Sequence, residues 1–259
     1  CDSKMVIDAC SKHNIDFVFV GPEAPLSLGI VDDLKKAGTH AIGPHKAAAM
    51  LESSKAFSKD FMIRNSIPTA EAVEVSSPEE FKKIINSKKG KTVIKKSGLA
   101  AGKGVLESDD RAKLLDFGLE ILKTDKLLIE EYLTGWEVTI FTLSDGKDYI
   151  ILPSCADFKK AYDNDEGPNT GGMGAICPVP SLTSQMLEEI KKTIIEPTFK
   201  GIEKEGLNYK GVLYFGLMIT EQGPKLLEYN VRFGDPETQA LMPLILSDFG
   251  ELCSSIIKG

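Results

Sequence analysis

Histidine is scarce in this sequence, and cysteine never occurs in the close pairs that bind zinc. The three histidines lie near the N-terminus, at positions 13, 40 and 45. The five cysteines stand far apart, at positions 1, 10, 155, 177 and 253. We therefore expect neither a zinc site nor a disulfide framework, and we predict a reducing, cytoplasmic location. Chemistry beyond the N-terminal region must rely on carboxylates, lysines, arginines and backbone groups.

The sequence also lacks a basic surplus and a long apolar run. It has 31 Lys and Arg against 38 Asp and Glu, a net charge of −7. Such a chain has no excess positive charge to attract a nucleic-acid backbone, so no DNA or RNA partner is expected. No apolar run is long enough to cross a bilayer, and residues 1–4 do not begin a signal peptide. The first residue is not methionine, and we expect that an upstream part was removed or left out.

The N-terminal region alternates apolar strands with helical segments. A strand is predicted at 15–20, a Gly/Pro loop at 21–25, a helix at 30–37 and a second strand at 40–43. This rhythm is typical of a parallel α/β unit. Because no strand precedes the first helix, we assign 1–50 to the C-terminal part of a doubly wound domain.

Residues 51–259 predict an α+β region with two subdomains. A helix at 53–64, capped by Ser53 or Ser54, opens the region. A smaller subdomain at about 69–132 has its predicted strands at 72–75, 92–96, 104–107 and 126–132. A core subdomain at 133–259 contains two hairpins, a glycine-rich loop at 163–174, and a helix at 186–205 kinked or broken at Pro197.

Residues 92–105 predict a strand, a glycine-rich loop and another strand. Three glycines, Gly98, Gly102 and Gly104, would let the backbone approach anionic oxygens, while Lys95 and Lys103 supply positive charge. The segment is not a Walker A loop, since its glycine spacing is one residue short and glycine follows the lysine. On this segment alone, a phosphate-binding loop and an ordinary glycine-rich hairpin are both open.

Residues 127–137 predict an apolar strand that runs into two acids, Glu130 and Glu131, and then a turn. A strand that leads into a hinge can offer backbone groups to an adenine edge, and an acid shortly after it can hold ribose hydroxyls. By itself, the segment fits a buried strand with solvated acids better.

Residues 224–239 are the most informative part of the chain. In a strand, Glu228, Asn230 and Arg232 share one face, and the opposite face is apolar. The apolar residues are Leu227, Tyr229, Val231 and Phe233. Mg²⁺ prefers hard oxygen ligands, of which the protein usually supplies one or two, and a guanidinium binds carboxylates or phosphates in a bidentate way. The pattern predicts a magnesium–phosphate site, with a solvated polar face as the alternative.

Residues 167–174 contain four glycines in eight positions. This composition argues against both a helix and a packed strand, and it suits a loop that wraps a polar substrate with backbone N–H groups. The segment does not match GxGxxG, which excludes a Rossmann cofactor site. A merely mobile loop is the alternative.

Taken together, the motifs resemble those of the phosphoribosylamine–glycine ligases, also called glycinamide-ribonucleotide synthetases, within the ATP-grasp superfamily. The matching runs, in chain order, are GPEAPLSLGIVDDL (21–34), LESSKAFSKDFM (51–62), GLAAGKGV (98–105), EEYLTGWE (130–137), GPNTGGMGA (167–175), GVLYFGLM (211–218) and LEYNVRFGDPETQ (227–239). The run RFGDPETQ is highly specific for this family.

The resemblance implies an ATP-grasp fold, in which two α+β subdomains grip ATP, preceded by the partial end of a doubly wound pre-ATP-grasp domain. It implies ATP-dependent joining of glycine to 5-phosphoribosylamine through glycyl phosphate, a step of purine synthesis. ATP and Mg²⁺ or Mn²⁺ are the implied cofactors, and fusion to other purine-pathway enzymes is implied for a full-length protein. The family's first glycine-rich unit and its C-terminal domain are expected to be absent.

The resemblance also assigns roles to residues. Lys55 and Lys95 would contact ATP phosphates, backbone at Glu131 and Leu133 the adenine, and Glu137 the ribose. The full set implied to bind the nucleotide is Lys55, Lys95, Gly98, Gly102, Lys103, Gly104, Glu130, Glu131, Leu133 and Glu137. The implied metal ligands are Glu228 and Asn230. The implied catalytic residues are Arg232, Lys95, Asp157 and Lys159. The implied substrate contacts are Asn169, Thr170, Gly171, Gly172, Arg232 and Asp235.

One position departs from the family pattern. The usual Gln-Asp-His-Lys motif reads Ala-Asp-Phe-Lys here, with Phe158 in place of histidine. The substrate-side role of Asp157 and Lys159 is therefore less well supported than the other assignments.

Two other functions stay open from the sequence. Another ATP-grasp ligase, such as a carboxylase or an amino-acid ligase, would share the nucleotide lid and the Glu228–Asn230 pair. It should not carry RFGDPETQ after GPNTGGMG. A nucleotide-binding fragment without turnover is the alternative from a different class, and ATP binding without product formation would identify it.

Overall fold

The structure is a computed structural model that describes residues 2–100, 103–163 and 166–259. Its α-helices, α1 to α11 in chain order, are Ser3–His13, Glu23–Leu28, Ile30–Lys36, Lys46–Ser53, Lys55–Arg64, Pro78–Ser87, Arg111–Ile121, Ser184–Ile190, Glu196–Lys204, Glu237–Leu241 and Phe249–Lys258. Its strands, β1 to β12, are Phe17–Phe19, His40–Ile42, Ala72–Val75, Thr92–Lys96, Val105–Ser108, Leu127–Glu131, Trp136–Ser144, Tyr149–Ile151, Ala156–Tyr162, Glu166–Ile176, Gly211–Thr220 and Gly223–Asn230.

The first sheet, called the small sheet, has the strand order β3-β6-β4-β5 and is antiparallel throughout. Helices α6 and α7 supply apolar side chains to its own core, in which Phe81, Ile94 and Leu127 are fully buried. The α6 helix begins at Pro78, because Ser77 accepts the Glu80 N–H and proline is favoured in the first turn.

The second sheet, called the large sheet, has the order β12-β11-β7-β8. Its central strands, β11 and β7, are buried on both faces, and successive residues of β11 enter two different cores. Phe215 joins a core with α1–α5 and α8–α9, whereas Tyr214 joins one with β2, α10 and α11. The N-terminal region thus packs directly on the large sheet.

The parallel pair β1–β2 confirms the α/β unit predicted near the N-terminus. Two helices of this N-terminal region, α2 and α4, were not predicted. Helix α2 contains Pro25, which the sequence analysis placed in a loop, and proline is tolerated there because it lies in the first turn. Helix α4 ends immediately before α5, and Ser54 caps α5 by accepting the Phe57 N–H.

The prediction of a loop over 163–174 was wrong. Residues 166–176 form β10, which pairs antiparallel with β9. The register shifts between Glu166 and Asn169 and again between Asn169 and Gly174. Gly167, Gly172 and Gly174 have positive φ angles, which a regular strand does not contain. These glycines lie at the two register shifts, so the strand accommodates them by irregular pairing.

The helix predicted over 186–205 is continuous rather than broken. Helices α8 and α9 are joined by a π-helical turn, Lys191–Ile195, and Pro197 follows in the first turn of α9. The Glu196 N–H donates to the Lys191 carbonyl. This widened turn relieves the clash that a proline ring makes inside a regular helix.

No single helix in the described part of the chain combines the length and the apolar composition needed to cross a membrane. One pair of helical segments, Glu237–Leu244 and Phe249–Lys258, meets that test jointly by length and composition alone, and it is bent by 95°.

Gly135 joins the two sheets at a point with no room for a side chain. A Cβ atom there would lie 2.1 Å from the Ile219 carbonyl oxygen, which is backbone of β11. We predict that Gly135→Ala lowers the free energy of unfolding by about 1–3 kcal/mol in urea denaturation, because a strand must shift. The control is Gly21→Ala, whose Cβ would meet nothing within 4 Å; an equal loss in both variants would contradict the packing argument.

Candidate functional site

Three parts of the chain meet where the small sheet approaches β12. Lys95, on β4, places its Nζ 3.4 Å from the Leu227 carbonyl oxygen of β12. The first residue of α5, Lys55, donates its N–H to the Ser97 carbonyl at 2.8 Å. The candidate site is therefore built from the end of β4, the start of α5 and the end of β12.

The buried carboxylate of Glu130 fixes the position of the Lys95 ammonium group. This carboxylate is 3% exposed and lies between two ammonium groups, 2.8 Å from Lys95 Nζ and 2.9 Å from Lys59 Nζ. Lys59 also donates to Thr69 Oγ1 at 2.7 Å and to the Ala70 carbonyl at 3.2 Å. Lys59 was not predicted from the sequence, since its only signal is a place in the 51–62 motif.

These buried charges shift one another's pKa values. Burial alone would raise the pKa of Glu130, but the ammonium groups of Lys95 and Lys59 outweigh burial and hold it below 4.5. Burial lowers the pKa of Lys59 and of Lys55. Burial also opposes the charge of Lys95, yet the nearby carboxylates of Glu130 and Glu228 raise the pKa of this lysine. Lys95 is thus a firmly protonated cation at the site.

The loop that joins β4 and β5 is held at its base. The Gly98 N–H donates to Asp125 Oδ2 at 3.0 Å, and the Lys96 N–H donates to the Gly104 carbonyl at 2.7 Å. Gly104 is needed for close packing, because its Cβ would lie 2.4 Å from the Ala100 Cβ. Lys103 is exposed, and Gly102 lies outside the described residues.

The segment after β6 connects the sheets. The Glu131 carboxylate accepts the Glu71 N–H and the Lys225 Nζ, both at 3.0 Å. Leu133 is nearly buried, with 9% of its surface exposed. The adenine contacts expected of Glu131 and Leu133 involve backbone groups and stay predictions.

Glu137 and two residues of β9 form a mixed charge cluster beside this segment. Lys159 Nζ lies 3.1 Å from Glu137 Oε2 and 3.6 Å from Asp157 Oδ2. Exposed Phe158 lies between Asp157 and Lys159 in sequence. The structure thus brings the expected ribose ligand and the two expected substrate-side residues together.

The alternation predicted for 227–233 is interrupted by a bulge. Gly216 pairs with Glu228 but Leu217 pairs with Leu226, so Leu227 has no partner in β11. Leu226 is therefore fully buried, whereas Leu227, which was predicted to share one apolar face with Tyr229, Val231 and Phe233, is only partly buried. The bulge also explains why the Leu227 carbonyl faces Lys95.

Glu228 and Asn230 lie beyond the bulge on one face of β12. One carboxylate and one amide oxygen form a suitable partial donor set for Mg²⁺, which takes further oxygens from phosphate and water. A Cβ at Gly216 would lie 3.2 Å from Glu228 Cγ, so glycine leaves space beside the carboxylate. The described residues contain no group of three or more His, Cys, Asp or Glu side chains suited to a metal.

Arg232 lies just past the end of β12 and is held by several groups. Its Nη2 is 3.0 Å from Glu52 Oε1 and 3.4 Å from Asn230 Oδ1, and its Nη1 donates to the Phe233 carbonyl at 3.0 Å. Its Nε is 3.6 Å from Glu23 Oε2. No role was predicted from the sequence for Glu23 or Glu52.

The expected substrate contacts lie on β10 and after β12. Thr170 Oγ1 donates to the Lys159 carbonyl at 2.9 Å and accepts the Gly172 N–H at 3.1 Å. A Cβ at Gly172 would lie 2.5 Å from Pro236 Cδ, so β10 touches the turn that contains Asp235. Asn169 and Gly171 also lie on β10.

Comparison with known proteins shows the family to which the chain is related. The family model described as phosphoribosylglycinamide synthetase, ATP-grasp (A) domain, matches residues 53–238. The N-domain model of the same synthetase matches residues 1–52. The chain is 42% identical over 259 residues to a phosphoribosylamine–glycine ligase of Streptococcus pneumoniae, covering 97% of this chain and 62% of that protein.

Two further relatives carry related names. The chain is 43% identical over 266 residues to the trifunctional purine biosynthetic protein adenosine-3 of Homo sapiens, covering 100% of this chain and 26% of that protein. The crystal structure of phosphoribosylamine–glycine ligase from Thermotoga maritima superposes with a TM-score of 0.76 at 39% identity, covering 85% of this chain and 57% of that chain. The chain thus spans between about a quarter and 62% of the length of these curated relatives.

The fold and the matched domain define an ATP-grasp protein. The chain belongs to the phosphoribosylglycinamide synthetase family, and the ATP-grasp architecture expected from the resemblance is confirmed.

Replacing Glu130 tests the buried charge cluster. We predict that Glu130→Gln lowers the free energy of unfolding at neutral pH by about 3–5 kcal/mol, because two buried ammonium groups lose their counter-charge. Since the folded pKa of Glu130 lies below its ordinary 4.5, its stabilisation is present above that pH and is lost as the pH falls through the folded pKa. Urea unfolding at several pH values should show the difference narrowing in acid.

The control is Glu131→Gln, which weakens a part-exposed pair with Lys225 and should cost about 1 kcal/mol or less. If the two substitutions lowered the free energy of unfolding by similar amounts, burial would not explain the contribution of Glu130 to stability.

Proposed function

We propose that this chain is the N-terminal and ATP-grasp part of a phosphoribosylamine–glycine ligase, which joins glycine to 5-phosphoribosylamine with ATP. The observation that carries the proposal is the meeting of Lys95, Lys55 and the Glu228–Asn230 face of β12. The contact between Lys95 and the Leu227 carbonyl supports this juxtaposition. We further propose domain boundaries at 1–50 and 51–259, with a lid subdomain over about 69–132 and a core subdomain over 133–259.

The lysines and the polar face of β12 suit the charge of a bound nucleotide. Lys55 and Lys95 would neutralise phosphate oxygens, and the β4–β5 loop with Gly98, Lys103 and Gly104 would cover them. Glu228 and Asn230 would hold Mg²⁺ or Mn²⁺, which when bound neutralises phosphate charge and polarises phosphoryl oxygens. Phosphoryl transfer depends mainly on such positioning and charge neutralisation.

The proposed reaction has two steps. A carboxylate oxygen of glycine attacks the γ-phosphorus, the bond from that phosphorus to the β–γ bridging oxygen breaks, and ADP leaves. The amine nitrogen of phosphoribosylamine then attacks the acyl carbon, the bond from that carbon to the oxygen bridging to phosphorus breaks, phosphate leaves with this bridging oxygen, and the nitrogen loses a proton. Arg232 would hold the carboxylate or acyl phosphate, while Asp157, Lys159 and the β10 residues Asn169–Gly172 would line the amine side with Asp235.

Several features favour this ligase over the other functions considered. The run RFGDPETQ follows GPNTGGMG in the same chain, and relatives at 42–43% identity carry the ligase or purine-biosynthetic names. The human relative supports the proposal of fusion to other purine-pathway enzymes in a longer protein. A cytoplasmic location is part of the proposal.

The first test is ADP release by the 259-residue chain with ATP, Mg²⁺, glycine and freshly generated phosphoribosylamine, each omitted in turn. We expect full release only when both glycine and the amine are present. Release that continues with bicarbonate or another amino acid instead of glycine would indicate a different ATP-grasp ligase. Binding of ATP without release would indicate a nucleotide-binding fragment, and the longest natural form that contains the chain would then be assayed.

The second test is Glu228→Gln. We predict that it lowers metal-dependent ADP release at least about a hundredfold, or about 2.7 kcal/mol, because an anionic metal ligand becomes neutral. Binding of metal-free ATP should be retained, which calorimetry can measure. The control is Glu221→Gln in the exposed turn of the same hairpin, and normal Mg²⁺ dependence in Glu228→Gln would refute the metal assignment.

A further inference from the structure

We propose that Glu52 is a positioning residue for the ligase reaction, which fixes the plane of the Arg232 guanidinium and the backbone beside it. The inference rests on the proposed function of Arg232 as the group that holds glycine's carboxylate or its acyl phosphate. Neither the family comparison nor the sequence motifs assign Glu52 a role.

The geometry gives Glu52 two simultaneous bonds to the same short segment. Its Oε2 accepts the Val231 N–H at 2.8 Å, and its Oε1 lies 3.0 Å from Arg232 Nη2. One carboxylate therefore holds both the main chain that leads into Arg232 and the side chain itself. Two fixed points on consecutive residues restrict the rotation of the side chain more strongly than an ion pair alone.

Glu52 is placed to support Arg232 rather than to bind substrate. Its side chain is 6% exposed, and both carboxylate oxygens already have partners in the protein. Arg232 is more accessible, with 23% of its side chain exposed. An anionic substrate that reached this point would meet the guanidinium, with Glu52 behind it.

The other contacts of Arg232 define which donors remain. A guanidinium has five N–H groups. Nη2 faces Glu52 and Asn230, and one Nη1 hydrogen is used by the Phe233 carbonyl. Nε is buried without a hydrogen-bond partner among the described residues, and its nearest carboxylate oxygen, on Glu23, is 3.6 Å away. The buried Nε hydrogen and the second Nη1 hydrogen are thus the guanidinium donors without a hydrogen-bond partner among the described residues.

The buried position of Glu52 has an electrostatic cost that its partners offset only in part. Burial is the largest influence on Glu52 and raises its pKa to about 7, while Arg232 and the Val231 N–H oppose that rise. A carboxylate in such a costly position requires its two partners. Glu52 is also the last residue of the segment matched by the N-domain model. Its contacts with Val231 and Arg232 therefore connect that segment to the residues that follow β12.

The test is a double-mutant cycle with Glu52→Gln and Arg232→Lys in the longest natural polypeptide that contains residues 1–259. Glutamine keeps the size of the side chain and can still accept the Val231 N–H, but it cannot neutralise the guanidinium. We expect Glu52→Gln to raise the KM for glycine and lower kcat/KM by about tenfold or more, because a small misplacement of a substrate-holding group is costly. The Kd for ATP should change less than twofold.

The cycle separates positioning from a general structural effect. If Glu52 acts through Arg232, Glu52→Gln should have little further effect on kcat/KM in the Arg232→Lys background. Equal effects in both backgrounds, or an unchanged glycine KM in Glu52→Gln, would overturn the proposal. Should Glu52→Gln fail to fold, Glu52→Asp replaces it: the shorter side chain should lose at least one of the two contacts, at 2.8 Å and 3.0 Å, and raise the glycine KM. An unchanged KM in Glu52→Asp would overturn the proposal.

A matched control is Glu205→Gln. Glu205 also pairs with an arginine, Arg64, at 3.0 Å and accepts an amide N–H from Asn65. This pair lies at the C-terminal end of α5, away from Lys55 at its start. The Glu205→Gln substitution should therefore leave the KM for glycine unchanged. If the wild type shows no glycine-dependent ADP release, the proposed function fails; if the wild type is active and Glu52→Gln matches it, only the present inference fails.

Discussion

The arrangement of the site depends on one buried carboxylate between two ammonium groups. Glu130 is almost inaccessible to water, and Lys59 and Lys95 reach it from different elements. A buried charge is strongly unfavourable unless it is paired and hydrogen-bonded. This requirement fixes β6, β4 and α5 relative to one another. Lys95 can then reach the Leu227 carbonyl of the large sheet with little freedom to move.

The same principle operates a second time around Arg232. Glu52 is to this guanidinium what Glu130 is to Lys95, a buried acid that holds a more accessible cation. Each acid uses both oxygens within the protein, so each cation keeps its orientation before any ligand binds. Preorganised charges of this kind lose little free energy to reorganisation when a phosphate or carboxylate arrives. On the proposed function, the supporting acids would therefore matter for activity although they need not touch a substrate.

Most of the fold could be predicted because it follows from local patterns. The strands Ala72–Val75 and Thr92–Lys96 were predicted with the observed bounds, since apolar runs between turn residues specify strands directly. The glycine-rich β10 could not be predicted, because its pairing with β9 is a long-range contact and glycine content alone favours a loop. The bulge at Leu227 was missed for a related reason, since register depends on the partner strand and not on the sequence of one strand.

The residues of the candidate site also differ in whether local sequence patterns could predict them. Lys95, Glu228, Asn230 and Arg232 lie within motifs whose residue types indicate phosphate or metal chemistry, so the sequence identifies them as candidate site residues. Glu52 and Lys59 occur in helices whose polar residues would ordinarily face water, and only tertiary packing buries them. Burial converts an ordinary surface acid or base into a determinant of geometry, because the free-energy cost of a misplaced charge rises steeply as water is excluded. Residues that support a site are thus harder to find from sequence than residues that form it, even when both lie within the same motif.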